Sequence, residues 1–151
     1  MKIMKSNDLY KAFELIDKNR SDFDGEKSEE LIKKAEKALN LSFPPSYRNF
    51  LKVLGCGNIM GLEFYGLTND NFVNSAIPNA IWLTLDERRL GLPNHLVLIY
   101  GVGDGSYYAI DTNTKFVGNE NPIVHYSFGE ITCRIADNFG SFLLEELQTV
   151  L

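Results

Sequence analysis

The chain has 151 residues, 44% of them apolar, which is one domain's worth of sequence with enough apolar side chains to bury a core without metal or disulfide staples. Fifteen Lys and Arg against 20 Asp and Glu leave a formal charge of −5, with no basic stripe, so nucleic acid is disfavoured as a direct ligand. Cys56 and Cys133 cannot build a disulfide framework or a thiolate zinc site and read as buried thiols, while the absence of a signal peptide or of ~18 continuous apolar residues points to a soluble, cytoplasmic protein without a membrane span.

A first helix is expected from Asn7, which can cap the free amides of its first turn, with Leu9, Phe13 and Ile16 on one face. Arg20 to Lys27 is polar, carries Gly25 and reads as a loop. Ser28 caps a second helix running to about Asn40. Leu31, Ala35, Ala38 and Leu39 form its apolar stripe, and Glu29–Lys33 and Glu30–Lys34 are i,i+4 pairs on its wet side. Pro44 forces Phe43 out of helical dihedrals, and Pro45 or Ser46 opens a third helix. Tyr47, Phe50, Leu51 and Leu54 share one face of it, and Gly55 and Gly57 stop it.

From Ile59 to Leu67 the period becomes two, which predicts a strand with Leu62 and Phe64 inward and Glu63 and Tyr65 on the wetter face. Asn69-Asp70-Asn71 is a loop, and a fourth helix runs from about Asn79 to Leu90, carrying Ile81, Trp82, Leu85 and Leu90. Leu96–Tyr100 and Ser106–Asp111 flank Gly101-Val102-Gly103-Asp104-Gly105, a hairpin signal because Asp and Gly tolerate positive φ. A weaker strand pair surrounds Phe116 and Ile123–Ser127, and a last helix begins near Ala136 with Phe139, Phe142, Leu143 and Leu147 on one face. With no repeat or linker, residues 1–151 read as a single α+β domain: a central antiparallel sheet with helices packed around it. Phe50, Leu51, Phe64, Trp82, Phe139 and Leu143 are its expected core.

Catalytic patterns are scarce. The Gly101 loop lacks a Walker lysine and leads into a strand, not a helix, so it is no phosphate cradle. His95 and His125 have no metal ligands at zinc spacings, and Cys56 sits at the C-terminal end of a helix, where the dipole raises a thiol pKa. No metal, cofactor or enzymatic activity is expected. What stands out is a set of acids and aromatics on the strand side, Glu63, Tyr65, Asp70, Asp104, Tyr107 and Asp111, suited to a basic protein surface.

The run Leu39-Asn40-Leu41-Ser42-Phe43-Pro44-Pro45-Ser46-Tyr47-Arg48-Asn49-Phe50-Leu51, then Gly55-Cys56-Gly57, resembles the signature of the SUKH superfamily. Further matches follow in order: Trp82 to Leu90 before Leu92-Pro93, Gly103-Asp104-Gly105, Tyr107-Tyr108-Ala109-Ile110-Asp111, Asn121-Pro122-Ile123-Val124, and Phe139-x-x-Phe142-Leu143. Pro44, beside Pro45, departs from the single proline of the family. The resemblance covers most of Ser28 to Leu147 and implies an α+β fold with an antiparallel sheet. It also implies a binding function: an immunity protein, of the YobK-like group, that neutralises a cognate polymorphic toxin, often a nuclease, by direct contact. The alternative it implies is a regulator or scaffold of the fungal cell-wall type with an endogenous partner. The family supplies no shared catalytic residues to carry over.

Overall fold

The computed structural model of the chain describes residues 3–151, with side chains from residue 8 onward. Helix α1 (Ile3–Lys18) begins ahead of Asn7, so that residue lies inside the helix and not at its cap. No Gly or Pro precedes it to stop the helix there. Helix α2 (Glu29–Leu39) has the expected ends: the Ser28 hydroxyl accepts from the Leu31 N–H, and Asn40 closes the helix in the left-handed conformation at φ 57°. Its buried stripe is Ile32, Ala35 and Leu39; Ala38 faces solvent and Leu31 is half-buried. Helix α3 (Pro45–Val53) opens on Pro45 and buries Tyr47, Phe50 and Leu51.

The expected i,i+4 pair of Glu29 with Lys33 gives way to a tertiary one. The Arg48 guanidinium of α3 donates to both Glu29 carboxylate oxygens, at 3.0 and 2.6 Å, and also to Glu36. Lys52 adds a second cation to Glu29 at 3.0 Å. A planar fork held between two helices outcompetes a flexible lysine on the same helix.

The segment from Arg20 to Lys27, expected to be a loop, contains strand β1 (Ser21–Phe23), and the single strand expected over Ile59–Leu67 is a hairpin of β2 (Gly57–Ile59) and β3 (Leu62–Phe64). Together they form an antiparallel sheet in the order β1-β2-β3. Strands this short have no readable period; pairing defines them. Gly66, just past β3, packs so tightly that a Cβ there would lie 1.9 Å from the Gly55 carbonyl oxygen.

Helix α4 (Ala80–Arg88) is capped by Asn79, whose side-chain oxygen accepts from the N–H groups of Ile81 and Trp82. Ile81 is buried, whereas Trp82 is half-buried and Leu90 lies exposed beyond the helix end. A meander follows: β4 (Leu96–Gly101), β5 (Tyr107–Asp111), β6 (Ile123–Ser127) and β7 (Glu130–Ala136), each antiparallel to the next. Phe116 is in no strand and leads into a 3-10 turn (Val117–Asn119). Ala136 ends β7, and helix α5 (Phe139–Gln148) starts three residues later behind its Asn138 cap.

The fold is thus α+β as expected, with the sheet in two parts that the Tyr65 N–H joins by donating to the Ile99 carbonyl at 2.9 Å. One face of the meander, with Val97, Ile99, Ile110 and Ile123, packs on the core shared with α1, α3 and α5. There Phe139 lies 5.0 Å, ring to ring, from both Tyr47 and Phe50. The other face, with Leu96, Leu98, Ala109 and Val124, packs with Ala80 and Leu83 of α4. Phe50, Leu51, Phe64, Phe139 and Leu143 are fully buried. Each such side chain contributes about 1.5–3 kcal/mol by leaving water.

Candidate functional site

Tyr107 begins β5 and is half-buried on the α4 side of the meander, where Trp82 meets the same apolar cluster. Burial raises the Tyr107 hydroxyl pKa, and the α4 acids Glu87 and Asp86 push it the same way. Tyr65 was expected on a wet face but is 7% exposed, because α4 and β4 cover the far side of the chain leaving β3. Burial raises its hydroxyl pKa, reinforced by Glu63 and then Tyr107, which both lie within electrostatic reach of it. Gly101 makes the room: a Cβ there would stand 2.5 Å from the Tyr65 hydroxyl oxygen.

Asp104, in the β4–β5 turn, accepts hydrogen bonds from both the N–H and the hydroxyl of Ser106. The Ser106 hydroxyl, foremost, holds the Asp104 carboxyl below its ordinary pKa. Ser106 Oγ lies 2.9 Å from His125 Nε2, and His125 Nδ1 lies 2.6 Å from Thr132 Oγ1. A serine, a histidine and an aspartate thus meet, but the carboxylate holds the serine instead of orienting the histidine, and Ser106 is 2% exposed. The chain of bonds braces the turn across β5, β6 and β7.

Asp111, at the far end of β5, accepts from the Asn113 N–H and the Thr114 hydroxyl and lies 3.6 Å from His95, closing its own turn. Asp70 is exposed in the loop after β3, 3.6 Å from Lys34 of α2. The structure therefore brings Glu63 and Tyr107 within electrostatic reach of Tyr65, while Asp104 is held through Ser106 on the His125 and Tyr108 side of the sheet, and Asp70 and Asp111 serve other parts of the fold. Sequence reasoning missed Trp82, Asp86 and Glu87 as part of this face. The i,i+4 spacing of Trp82 and Asp86, which sets them one turn apart, is the signal that could have found them.

Two clefts, of about 770 and 780 Å³, flank the Lys115–Asn121 loop. In the first, Glu120 accepts from the N–H and the hydroxyl of Ser46, at 3.0 and 2.7 Å, and the Arg134 guanidinium lies 4.7 Å from the Phe116 ring centroid. These charged groups are engaged with the chain itself. Among the described residues no group of three or more His, Cys, Asp or Glu is placed to hold a metal. Burial, foremost, pushes the Cys56 thiol up to about 11, so it is protonated at neutral pH. Cys133, expected to be buried, is exposed, because β7 is the outer strand of its sheet. No described helix is long and apolar enough to cross a membrane.

A family model described as SMI1-KNR4 cell-wall, of the SUKH group, matches residues 11–148. The crystal structure of a protein from Pseudomonas syringae pv. tomato superposes with a TM-score of 0.67 at 16% identity, covering 93% of this chain and 98% of that one, which is a likeness of fold. No curated protein matches the chain. The chain belongs to the SMI1-KNR4 family of the SUKH superfamily.

Proposed function

We propose that the chain is an immunity protein that binds and neutralises a cognate toxin domain, a basic nuclease, in the cytoplasm, without catalysis of its own. The observation that carries this reading is the acidic and aromatic face on which half-buried Tyr107 and Trp82 stand beside Asp86 and Glu87. Tyrosine and tryptophan supply contact area with little side-chain entropy to lose, and the acids steer a basic partner. Glu63 extends the face and Tyr65 supports it from beneath, while Asp104 lies in the turn at the end of the sheet, on its His125 side, and Asp70 and Asp111 lie outside the face. Family membership favours a protein partner. The cell-wall description of the family model favours a second reading, a regulator of an endogenous protein.

Co-expression decides between them. The protein is produced in cells together with the toxin domain encoded beside its gene, and growth is scored with binding of the purified pair. Protection with tight binding is expected; a protein that neither binds nor protects ends the immunity reading in favour of the regulator.

A further inference from the structure

Among the described residues four that are not glycine have positive φ: Asn40, Met60, Asn119 and Phe128. Asn40 and Asn119 carry the side chain this conformation favours. Phe128 does not. With Gly129 it fills a two-residue loop between the paired residues Ser127 and Glu130, at φ 48° and 86°. Positive φ at both positions defines the hairpin turn for which Asn-Gly is preferred.

An aromatic ring in that conformation strains the backbone and gains nothing in return within the domain, since Phe128 is 88% exposed. Strain and a lost apolar contact at one residue, on a tip that the fold would close better with asparagine, point to a role outside the domain. The meander places this tip at the same end of the sheet as the β4–β5 turn. There Val102 is 37% exposed and Ser106 holds the Asp104 carboxyl below its ordinary pKa, while exposed Glu130 closes the turn after Gly129. An apolar knob at an end of the sheet that also carries the Asp104 and Glu130 carboxylates fits an apolar recess bordered by Lys or Arg. The same carboxylates repel a second copy of this acidic chain and an anionic membrane.

We infer that Phe128 is an anchor with which the protein grips its partner, inserting into such a recess on a folded basic domain. The inference rests on the immunity reading and adds to Tyr107 a second anchor, at the tip of the β6–β7 hairpin.

The test measures binding to the toxin domain encoded beside the gene, inactivated in its own catalytic residues, by surface-immobilised kinetics. Phe128→Asn suits the turn, so its melting midpoint is expected to equal or exceed that of the wild type. Its affinity is expected to fall about tenfold or more, mainly through faster dissociation. Phe128→Ala is the second variant, with the same loss expected. Binding within about twofold of the wild type by either folded variant overturns the anchor and leaves the immunity reading standing. A wild type that does not bind overturns both. Sedimentation gives a further check: wild-type dimers that Phe128→Asn dissolves would assign the residue to self-contact and overturn the partner named here.

Discussion

The Tyr47 hydroxyl, fully buried, donates to the backbone carbonyl of Tyr65 at 2.9 Å and so pins helix α3 to the segment that supports the acidic face. Tyr47→Phe keeps the ring and its packing but leaves that carbonyl without its donor. An unsatisfied buried acceptor costs about 1–3 kcal/mol. Urea unfolding of the variant is expected to show a loss in that range with an unchanged slope.

Phe50 lies in the same ring cluster and is fully buried, with Tyr47 at 6.0 Å and Phe139 at 5.0 Å between ring centroids. Phe50→Ala empties a site that three elements enclose, and about 3–5 kcal/mol is expected to be lost. A loss below about 1 kcal/mol in the same titration would contradict the packing described.

Acid should loosen the α2–α3 clamp. Hydrogen bonds from Arg48 first, then from Lys52, lower the Glu29 carboxyl from its ordinary 4.5 to about 2. A folded-state pKa below the unfolded one means that the stabilisation is complete above about 4.5 and is lost as pH falls from there through about 2. Glu29 is 42% exposed at the side chain, so salt screens the effect. Melting midpoints across this window are expected to fall less steeply in Glu29→Gln, and the difference from wild type to shrink in high salt.

The two thiols should separate chemically. Cys133 is exposed on β7, while Cys56 is buried with its pKa pushed up to about 11. One thiol per chain is expected to react promptly with a disulfide reagent at pH 8 and the second only in denaturant. Peptide mapping that found Cys56 labelled first would refute the assignment.

Association with the toxin domain should depend on charge. Asp104→Asn keeps the side-chain oxygen that Ser106 donates to, and Asp86→Asn removes an acid from beside Tyr107. The double variant is expected to associate more slowly, with a weaker dependence on salt, whereas Tyr107→Ala should mainly speed dissociation. Unchanged rates in both would place the contact surface elsewhere.

Local chemistry made much of this fold legible. Ser28, Asn40 and Asn79 mark helix ends through caps that act within a few residues, and Asp104-Gly105 marks a turn through its own backbone preference. The hairpins at Met60-Gly61 and Phe128-Gly129 were hidden because their first residues contradict the conformation they adopt. Strand β7 does alternate, with Ile131, Cys133 and Ile135 between polar residues, but pairing to β6 fixes its place, and the first two remain exposed. Tyr65 was misplaced because alternation gives the two faces of a strand without saying what covers each. The Glu29 partnership was unreadable for the same reason, since Arg48 reaches it only once α2 and α3 lie side by side.

Strand β7 carries five consecutive exposed residues, Glu130 to Arg134, and turns inward only at Ala136. Side chains there hang on a frame that β6 and α5 hold, so most exchanges along it change folding by no more than about 0.5 kcal/mol. Single substitutions in this strand can therefore change the outer surface of the domain while leaving the ring cluster around Phe139 untouched, which separates the freedom to vary that surface from the requirement to fold.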